Sequence, residues 1–483
     1  MTVKTADEYL NNIQQMNVRV FLNGKRIEKL LDNPITRSVV EATAKIYELA
    51  NDPQYEEVMT TKSHLLENEK ISRANHPCRS TRDLELRLQM ALLTAQALGT
   101  CNYRCPGSDA ITALSSTTWE MDRELGTNYH ERLNHFLGLI QQKDLACSAG
   151  LTDAKGDRSK RPGEQEDPDV YVRIVDRQDD GIVVRGAKLH QSGAIAVNYT
   201  FVLPGRALNP DEEDYAVSFV VPNSSKGLTY IAQWTPFSAE RMMTEDYAEL
   251  GNPKYGVRET SMVIFDDVFV PWNNVFMCGE TAYAGKLISR FARMHRMNCG
   301  GACKVGFADL IIGATAGIAE YQGIAKSSKI REKLVNMMKI REAAYGIALA
   351  AALKGKEDPS GSGTWFPDDM YGNVAKLVVA DGFWELMKVA GDIAGGLVVT
   401  MPSEEELKNP ETSKYVKKYL KSAVPAEKRM RLTKFLQNWT AGLHGPGTWH
   451  GAGSTAAQEI SIARLADLKT KKKLAEELAG IKD

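Results

Sequence analysis

Apolar residues recur at three- and four-residue spacing early in the chain, as at Leu84, Leu88, Ala91, Leu92 and Ala95, and the Gln, Glu and Arg between them favour helix. Residues 5–143 therefore predict a helical N-terminal domain, with its boundary set at 1–146. The period then switches from helical to β. Residues 171–176 and 182–187 are β-rich runs flanking Arg177-Gln178-Asp179-Asp180-Gly181, a hairpin signature. Further strands are expected at 199–203, 216–221, 228–232 and 262–265, with 266–271 closing a middle β domain over 147–277. Helical spacing returns beyond Pro271, with long amphipathic segments at 329–354 and 371–394 and a solvated loop at 355–363, so 278–483 reads as a helical bundle.

The chain has 483 residues, too long for one hydrophobic core, which supports this division. Lys plus Arg (60) nearly balances Asp plus Glu (61), so no global field draws the protein onto nucleic acid or an anionic membrane. The N-terminal residues lack the apolar core of a signal peptide, and a cytoplasmic location is expected. Seven cysteines, an odd number in a large chain, make a poor disulfide framework and direct attention to core packing or metal ligation.

Cys101 and Cys105 lie four apart, so on a helix their thiols share one face and could hold a soft metal or an iron-sulfur cluster; small core residues are the plainer reading. His295, Cys299 and Cys303 add an imidazole and two thiols beside Gly300 and Gly301, which would let a bulky group approach the backbone. The loop at 151–158, with Thr152, Lys155 and Arg158, offers hydroxyl, charge and backbone donors suited to a flavin edge or a phosphate. Gln191 and Ser192 end a strand where a ligand could be met. Gly395 and Gly396 follow a helix, permitting a pyrophosphate to approach or simply ending that helix.

Together these segments resemble the 4-hydroxybutyryl-CoA dehydratase family, iron-sulfur flavoproteins related to the flavin component of 4-hydroxyphenylacetate 3-monooxygenase. The resemblance runs nearly end to end. It passes through Gly126-Thr127-Asn128-Tyr129-His130, Lys155-Gly156-Asp157-Arg158, Cys303-Lys304-Val305-Gly306, Ile393-Ala394-Gly395-Gly396-Leu397 and His450-Gly451-Ala452-Gly453-Ser454. It implies an α+β fold of the acyl-CoA dehydrogenase kind, with a middle β-barrel domain between the two helical domains. It also implies an oxygen-sensitive homotetramer carrying FAD and one 4Fe-4S cluster per subunit, acting on an acyl-CoA. The cluster ligands implied are Cys101, Cys105, His295 and Cys303, with Cys299 a nearby thiol. The flavin site implied is Thr152, Lys155, Arg158, Gln191 and Ser192, with Gly395 and Gly396 approaching its phosphates from the same or a neighbouring subunit. Glu259 and Lys304 would stand at the active site. The implied reaction is a radical elimination of water, with accompanying vinylacetyl-CoA isomerisation, in which His295 is both iron ligand and base.

Two departures mark this chain. The family places the cluster Cys seven positions after the His, with a Tyr at the fourth; here Cys303 lies eight after His295 and Cys299 stands at the fourth. Eight residues of regular helix mean roughly 12 Å of rise and about 80° of rotation, a poor fit for two ligands of one cluster. A one-residue π-bulge around Gly300 and Gly301 would restore the phase. Gly447 occupies the position of a family Glu that assists the base, with His444 and His450 as candidate replacements. A paralogue acting on another acyl-CoA, a flavin-dependent oxidoreductase or monooxygenase, and a non-catalytic cluster-bearing paralogue are the alternative readings.

Overall fold

A computed structural model describes residues 3–233, 248–442 and 444–481. The N-terminal region holds α1 (Ala6–Gln14), strands β1 (Val20–Leu22) and β2 (Lys25–Ile27), α2 (Pro34–Asn51), α3 (Glu56–Met59), a short hairpin of β3 (Thr60–Lys62) and β4 (Lys70–Ser72), α4 (Thr81–Leu98), α5 (Cys105–Leu125) and α6 (Tyr129–Gln142). Its caps are local and chemical: Thr5 and Glu8 form a capping box on α1, and Ser80 caps α4 through the Asp83 amide.

The middle region supplies β5 (Cys147–Gly150), β6 (Arg173–Arg177), β7 (Gly181–Ser192), β8 (Tyr199–Val202), β9 (Val217–Pro222), β10 (Leu228–Gln233), β11 (Thr260–Pro271) and β12 (Val275–Cys278). The expected hairpin is present, with β6 antiparallel to β7. The expected barrel is not: the described strands form two open sheets, β2-β1-β10-β11-β7-β6 and β12-β9-β8-β5. The edge strands β2 and β6 carry Lys25, Arg26, Arg173 and Arg177, charges that blunt a sheet edge against further pairing. Phe219 meets Phe265 edge-on at 5.8 Å between the sheets.

Three further expectations change. The N-terminal region is not purely helical, because β1 pairs in parallel with β10. Residues 266–271 continue β11 past a register shift between Phe265 and Val268 instead of closing the region. The 355–363 segment is only partly solvated, since Asp358 is buried and pairs with Arg290 at 2.8 Å.

The bundle is built on α7 (Thr281–His295), a π-helical run (Arg296–Cys303), α8 (Lys304–Tyr321), α9 (Ser328–Leu353) and α10 (Asp369–Ala394). The run Thr281–Tyr321 is apolar and long enough to cross a bilayer, but 72% of its most apolar window is buried against neighbouring helices. That is the pattern of a core helix. Leu84, Leu88, Ala91 and Ala95 of α4 enter the same apolar core as Met294, Ala302 and Phe307, which fixes the end of α4 beside the π-helical run.

Candidate active site

Gly99 ends α4 in the left-handed conformation (φ 62°), and the chain then crosses to α5 through residues 100–104. Cys101 therefore lies in this linker and Cys105 opens α5, so the two thiols do not share one helix face as the four-residue spacing suggested. The linker is tied on every side. Thr100 Oγ1 donates to the Val257 carbonyl at 2.9 Å, Asn102 Nδ2 donates to Thr94 Oγ1 at 3.1 Å, and buried Arg104 pairs with Asp144 at 2.9 Å. Tyr103 packs against Gly193 (φ 65°), where an added Cβ would sit 2.1 Å from its ring. Sequence spacing could not show this, because the linker's path is set by tertiary partners.

The π-helical run covers Arg296–Cys303, where the eight-residue spacing and the Gly300-Gly301 pair predicted a bulge. The two glycines act otherwise than expected. An added Cβ on Gly300 would lie 2.9 Å from Lys376 Cβ, and one on Gly301 would lie 2.5 Å from Ala348 Cβ, so they admit α10 and α9 to the backbone.

This turn brings the candidate ligands together. Cys299 is within hydrogen-bonding reach of Cys105, Cys303 and His295, and Cys101 faces both Cys299 and Cys303. Hydrogen bonds from Cys105 and Cys303 hold the Cys299 thiol well below the ordinary thiol range. His295 Nδ1 lies 2.7 Å from Asp109 Oδ2, and Asn298 Nδ2 donates to the other oxygen of the same carboxylate at 2.8 Å. Burial works against charge on His295, but Cys299 and Asp109 outweigh it and push its pKa up to about 10. Among the described residues no three His, Cys, Asp or Glu donors are arranged for a single metal ion. A four-iron cluster has a different requirement, one donor per iron, and this donor chemistry fits it.

Three cations close the site from the other side: Lys304, which the resemblance placed at the active site, and Arg258 and Lys376, to which sequence reasoning assigned no role. Buried Lys304 donates to the carbonyls of Gly451 (2.7 Å) and Cys299 (3.2 Å), and its Nζ is 3.8 Å from Cys299 Sγ. Lys376 donates to the Trp449 carbonyl at 2.8 Å, and Arg258 Nη2 to the Gly447 carbonyl at 3.0 Å. Three of these four carbonyls, those of Gly447, Trp449 and Gly451, lie in or just past the last turn of the helix His444–His450, where few carbonyls keep an intrahelical donor. Burial and the neighbouring Lys304 push the Lys376 pKa down to about 7. A charged residue among Ala375, Val379 and Ala380 on the buried face of α10 was the available signal for Lys376.

Arg258 explains Gly447. An added Cβ there would lie 2.5 Å from Arg258 Nε, so the guanidinium fills the space a side chain would need, and Arg258 Nη1 is buried with no hydrogen-bond partner. Of the two candidate replacements, His444 is buried on Trp439 and bonded to the Gly256 carbonyl at 3.2 Å, and burial with the nearby Arg258 pushes its pKa down to about 3. His450 is exposed and faces His190.

The flavin-side candidates divide. Buried Gln191 donates to the Leu189 carbonyl at 2.6 Å, the Leu189 amide donates to the Thr152 carbonyl at 2.7 Å, and Ser192 is hydrogen-bonded to Cys101. Lys155 (φ 72°) is exposed and, with His450, faces His190, so the 151–158 loop, the end of β7 and the 450–453 turn converge. Arg158 is exposed on the same loop. Glu259 accepts from Ser261 Oγ and from the Gly193 amide at 3.2 Å; burial, against these bonds, pushes its pKa up to about 8. Gly395 and Gly396 are exposed at the far end of α10, about 27 Å along the axis from Lys376. Elsewhere an open cleft of about 930 Å³ is lined by Arg290, Asp358 and Glu120, whose charges are paired with one another.

Family models for the N-terminal and C-terminal parts of 4-hydroxyphenylacetate 3-hydroxylase match residues 5–277 and 284–480, and the chain belongs to this family. Its resemblance to 4-hydroxybutyryl-CoA dehydratase is borne out. The chain is 40% identical to the 4-hydroxybutyryl-CoA dehydratase/vinylacetyl-CoA-Δ-isomerase of Clostridium aminobutyricum over 99% of both chains. It is 25% identical to the oxygenase component of 4-hydroxyphenylacetate 3-monooxygenase of Thermus thermophilus, over 92% of this chain and 89% of that one. Among solved structures, an oxygen-tolerant archaeal 4-hydroxybutyryl-CoA dehydratase from N. maritimus superposes with a TM-score of 0.95 at 38% identity, covering 100% of this chain and 96% of that one. An oxygenase component of 4-hydroxyphenylacetate 3-monooxygenase complexed with FAD shares the fold at a TM-score of 0.85 and 21% identity, covering 98% of each chain.

Proposed function

We propose that this protein is an FAD- and 4Fe-4S-dependent enzyme that eliminates water from 4-hydroxybutyryl-CoA and isomerises vinylacetyl-CoA. The observation that carries the reading is the gathering of Cys101, Cys105, Cys303 and His295 in a chain 40% identical to such a dehydratase. The finer parts of the proposal are a cytosolic homotetramer and an acyl-CoA dehydrogenase-like layout over 1–146, 147–277 and 278–483. In it, Gly395 and Gly396 meet the flavin phosphates of a neighbouring subunit.

When bound, FAD supplies one-electron chemistry and the cluster a Lewis-acidic iron for the leaving hydroxyl. The chain's own part is to hold the donors and to manage protons. Cys101, Cys105 and Cys303 would anchor the cluster, and His295 would face it with Asp109 fixing its ring from behind. Lys304 keeps a positive charge beside Cys299, and Arg258 offers a donor to a substrate oxygen. Glu259, kept neutral by burial up to about pH 8, can donate a hydrogen bond at the strand end where Gln191, Ser192 and Thr152 would border the flavin. Lys155 and Arg158 would attract its phosphates. Protein purified without oxygen should release FAD on denaturation, contain iron and acid-labile sulfide, and isomerise vinylacetyl-CoA; fully loaded protein inert toward vinylacetyl-CoA would refute the reading.

A further inference from the structure

The family pattern supplies three thiols and an imidazole, but the structure gathers five donors, because Cys299 stands where the pattern has a Tyr. Cys299 is central among them. It is hydrogen-bonded to both Cys105 and Cys303 and lies near Cys101, and it is also the thiol that His295 contacts. His295 ends α7, and Cys299 and Cys303 follow it at four-residue steps in the π-helical run, so the three donors succeed one another along one continuous stretch of helix.

We propose that Cys299, in place of His295, holds the fourth iron of the cluster in this chain, so that the cluster is ligated by Cys101, Cys105, Cys299 and Cys303. The proposal rests on the cluster reading above and changes one of its ligands. Thiolate is the softer donor and the one iron-sulfur clusters select over imidazole. A fourth thiolate also adds a negative charge that His295 would not. The surroundings accommodate it: Lys304 Nζ is 3.8 Å from Cys299 Sγ, and Arg258 faces Cys101, Cys299 and Cys303. His295 then keeps its 2.7 Å contact with Asp109 and stands free of iron as a proton carrier beside the substrate. A carboxylate behind a histidine also orients metal-bound imidazoles, so His295 is the direct competitor.

The test reconstitutes the full-length wild type, Cys299→Ala and His295→Gln with ferrous iron and sulfide in the absence of oxygen. His295→Gln retains a hydrogen-bonding partner for Asp109. Iron and sulfide content, the electron paramagnetic resonance of oxidised protein, and pulsed resonance of reduced protein containing isotope-labelled histidine are then measured. The expected result is no histidine-nitrogen coupling in the wild type, a complete cluster in His295→Gln, and a three-iron signal in Cys299→Ala. Histidine-nitrogen coupling in the wild type, which needs no variant to fold, overturns the Cys299 assignment while leaving the cluster reading intact. A wild type that takes up neither iron nor sulfide overturns the cluster reading and this assignment with it.

Discussion

The thiol pocket and the flavin-side loop lie within one site but are prepared differently. Around the thiols, the backbone is fixed before any ligand arrives: Arg104 pairs with Asp144, Tyr103 seats on Gly193, and α9 and α10 press on Gly300 and Gly301. On the flavin side the root is anchored by buried Lys188, which pairs with Asp153 at 2.6 Å and donates to the Leu203 carbonyl at 2.8 Å, and the loop beyond it is held by bonds between the Asp157 backbone and the Gln165 side chain. Lys155 and Arg158 beyond it are exposed and await a partner. The difference teaches that a cluster needs several donors held at once, whereas a dinucleotide can order a loop as it binds, the binding itself stabilising the folded state.

Removing Cys105 separates the two halves most severely. Cys105→Ala should lose iron and sulfide to background and with them all turnover, while FAD is still retained after desalting; loss of both cofactors together would merge the halves. Lys188→Met strikes the root of the flavin side. It leaves the Asp153 carboxylate buried without its ion pair, and denaturant unfolding of the metal-free protein should show a loss of about 3–5 kcal/mol.

Glu259, where the halves meet, gives a test by pH. Its folded pKa is raised from 4.5 to about 8, so the folded state holds this proton more tightly than the unfolded chain does. Its contribution is therefore complete below 4.5 and declines as pH rises toward about 8. Glu259→Gln should flatten that part of the melting temperature against pH, and an unchanged slope would deny the buried carboxyl. Gly447→Ala pushes a Cβ to 2.5 Å from Arg258 Nε and should cost about 1–3 kcal/mol in the same unfolding assay. The smallest effect is expected at the exposed tip. Lys155→Ala should change stability by less than about 0.5 kcal/mol and weaken FAD binding about fivefold by fluorescence titration, the worth of one exposed charge contact.

Much of this contrast was legible in the sequence. Once the resemblance made His295 and Cys303 ligands of one cluster, their eight-residue interval called for a one-residue π-bulge near Gly300 and Gly301, and a longer π-helical run is there. The β6–β7 hairpin and the helices α9 and α10 followed from periodicity alone. What escaped depends on contacts between distant segments. The strand β1, only Val20–Leu22, is too short to signal itself and exists because β10 pairs with it. Cys101 left the helix because Gly99 turns the chain and Tyr103, Arg104 and Asn102 find partners far along it. Arg258 and Lys376 became part of the site through carbonyls of Gly447 and Trp449, nearly 200 and over 70 residues away, as the separations of 189 and 73 show.

The most direct test of the account is the conversion of 4-hydroxybutyryl-CoA by oxygen-free wild-type protein loaded with FAD, iron and sulfide, run beside Cys105→Ala and followed by mass spectrometry. The account predicts an enoyl-CoA lighter by one water from the wild type and none from Cys105→Ala. Equal conversion by both proteins, or unchanged substrate with the loaded wild type, would contradict it.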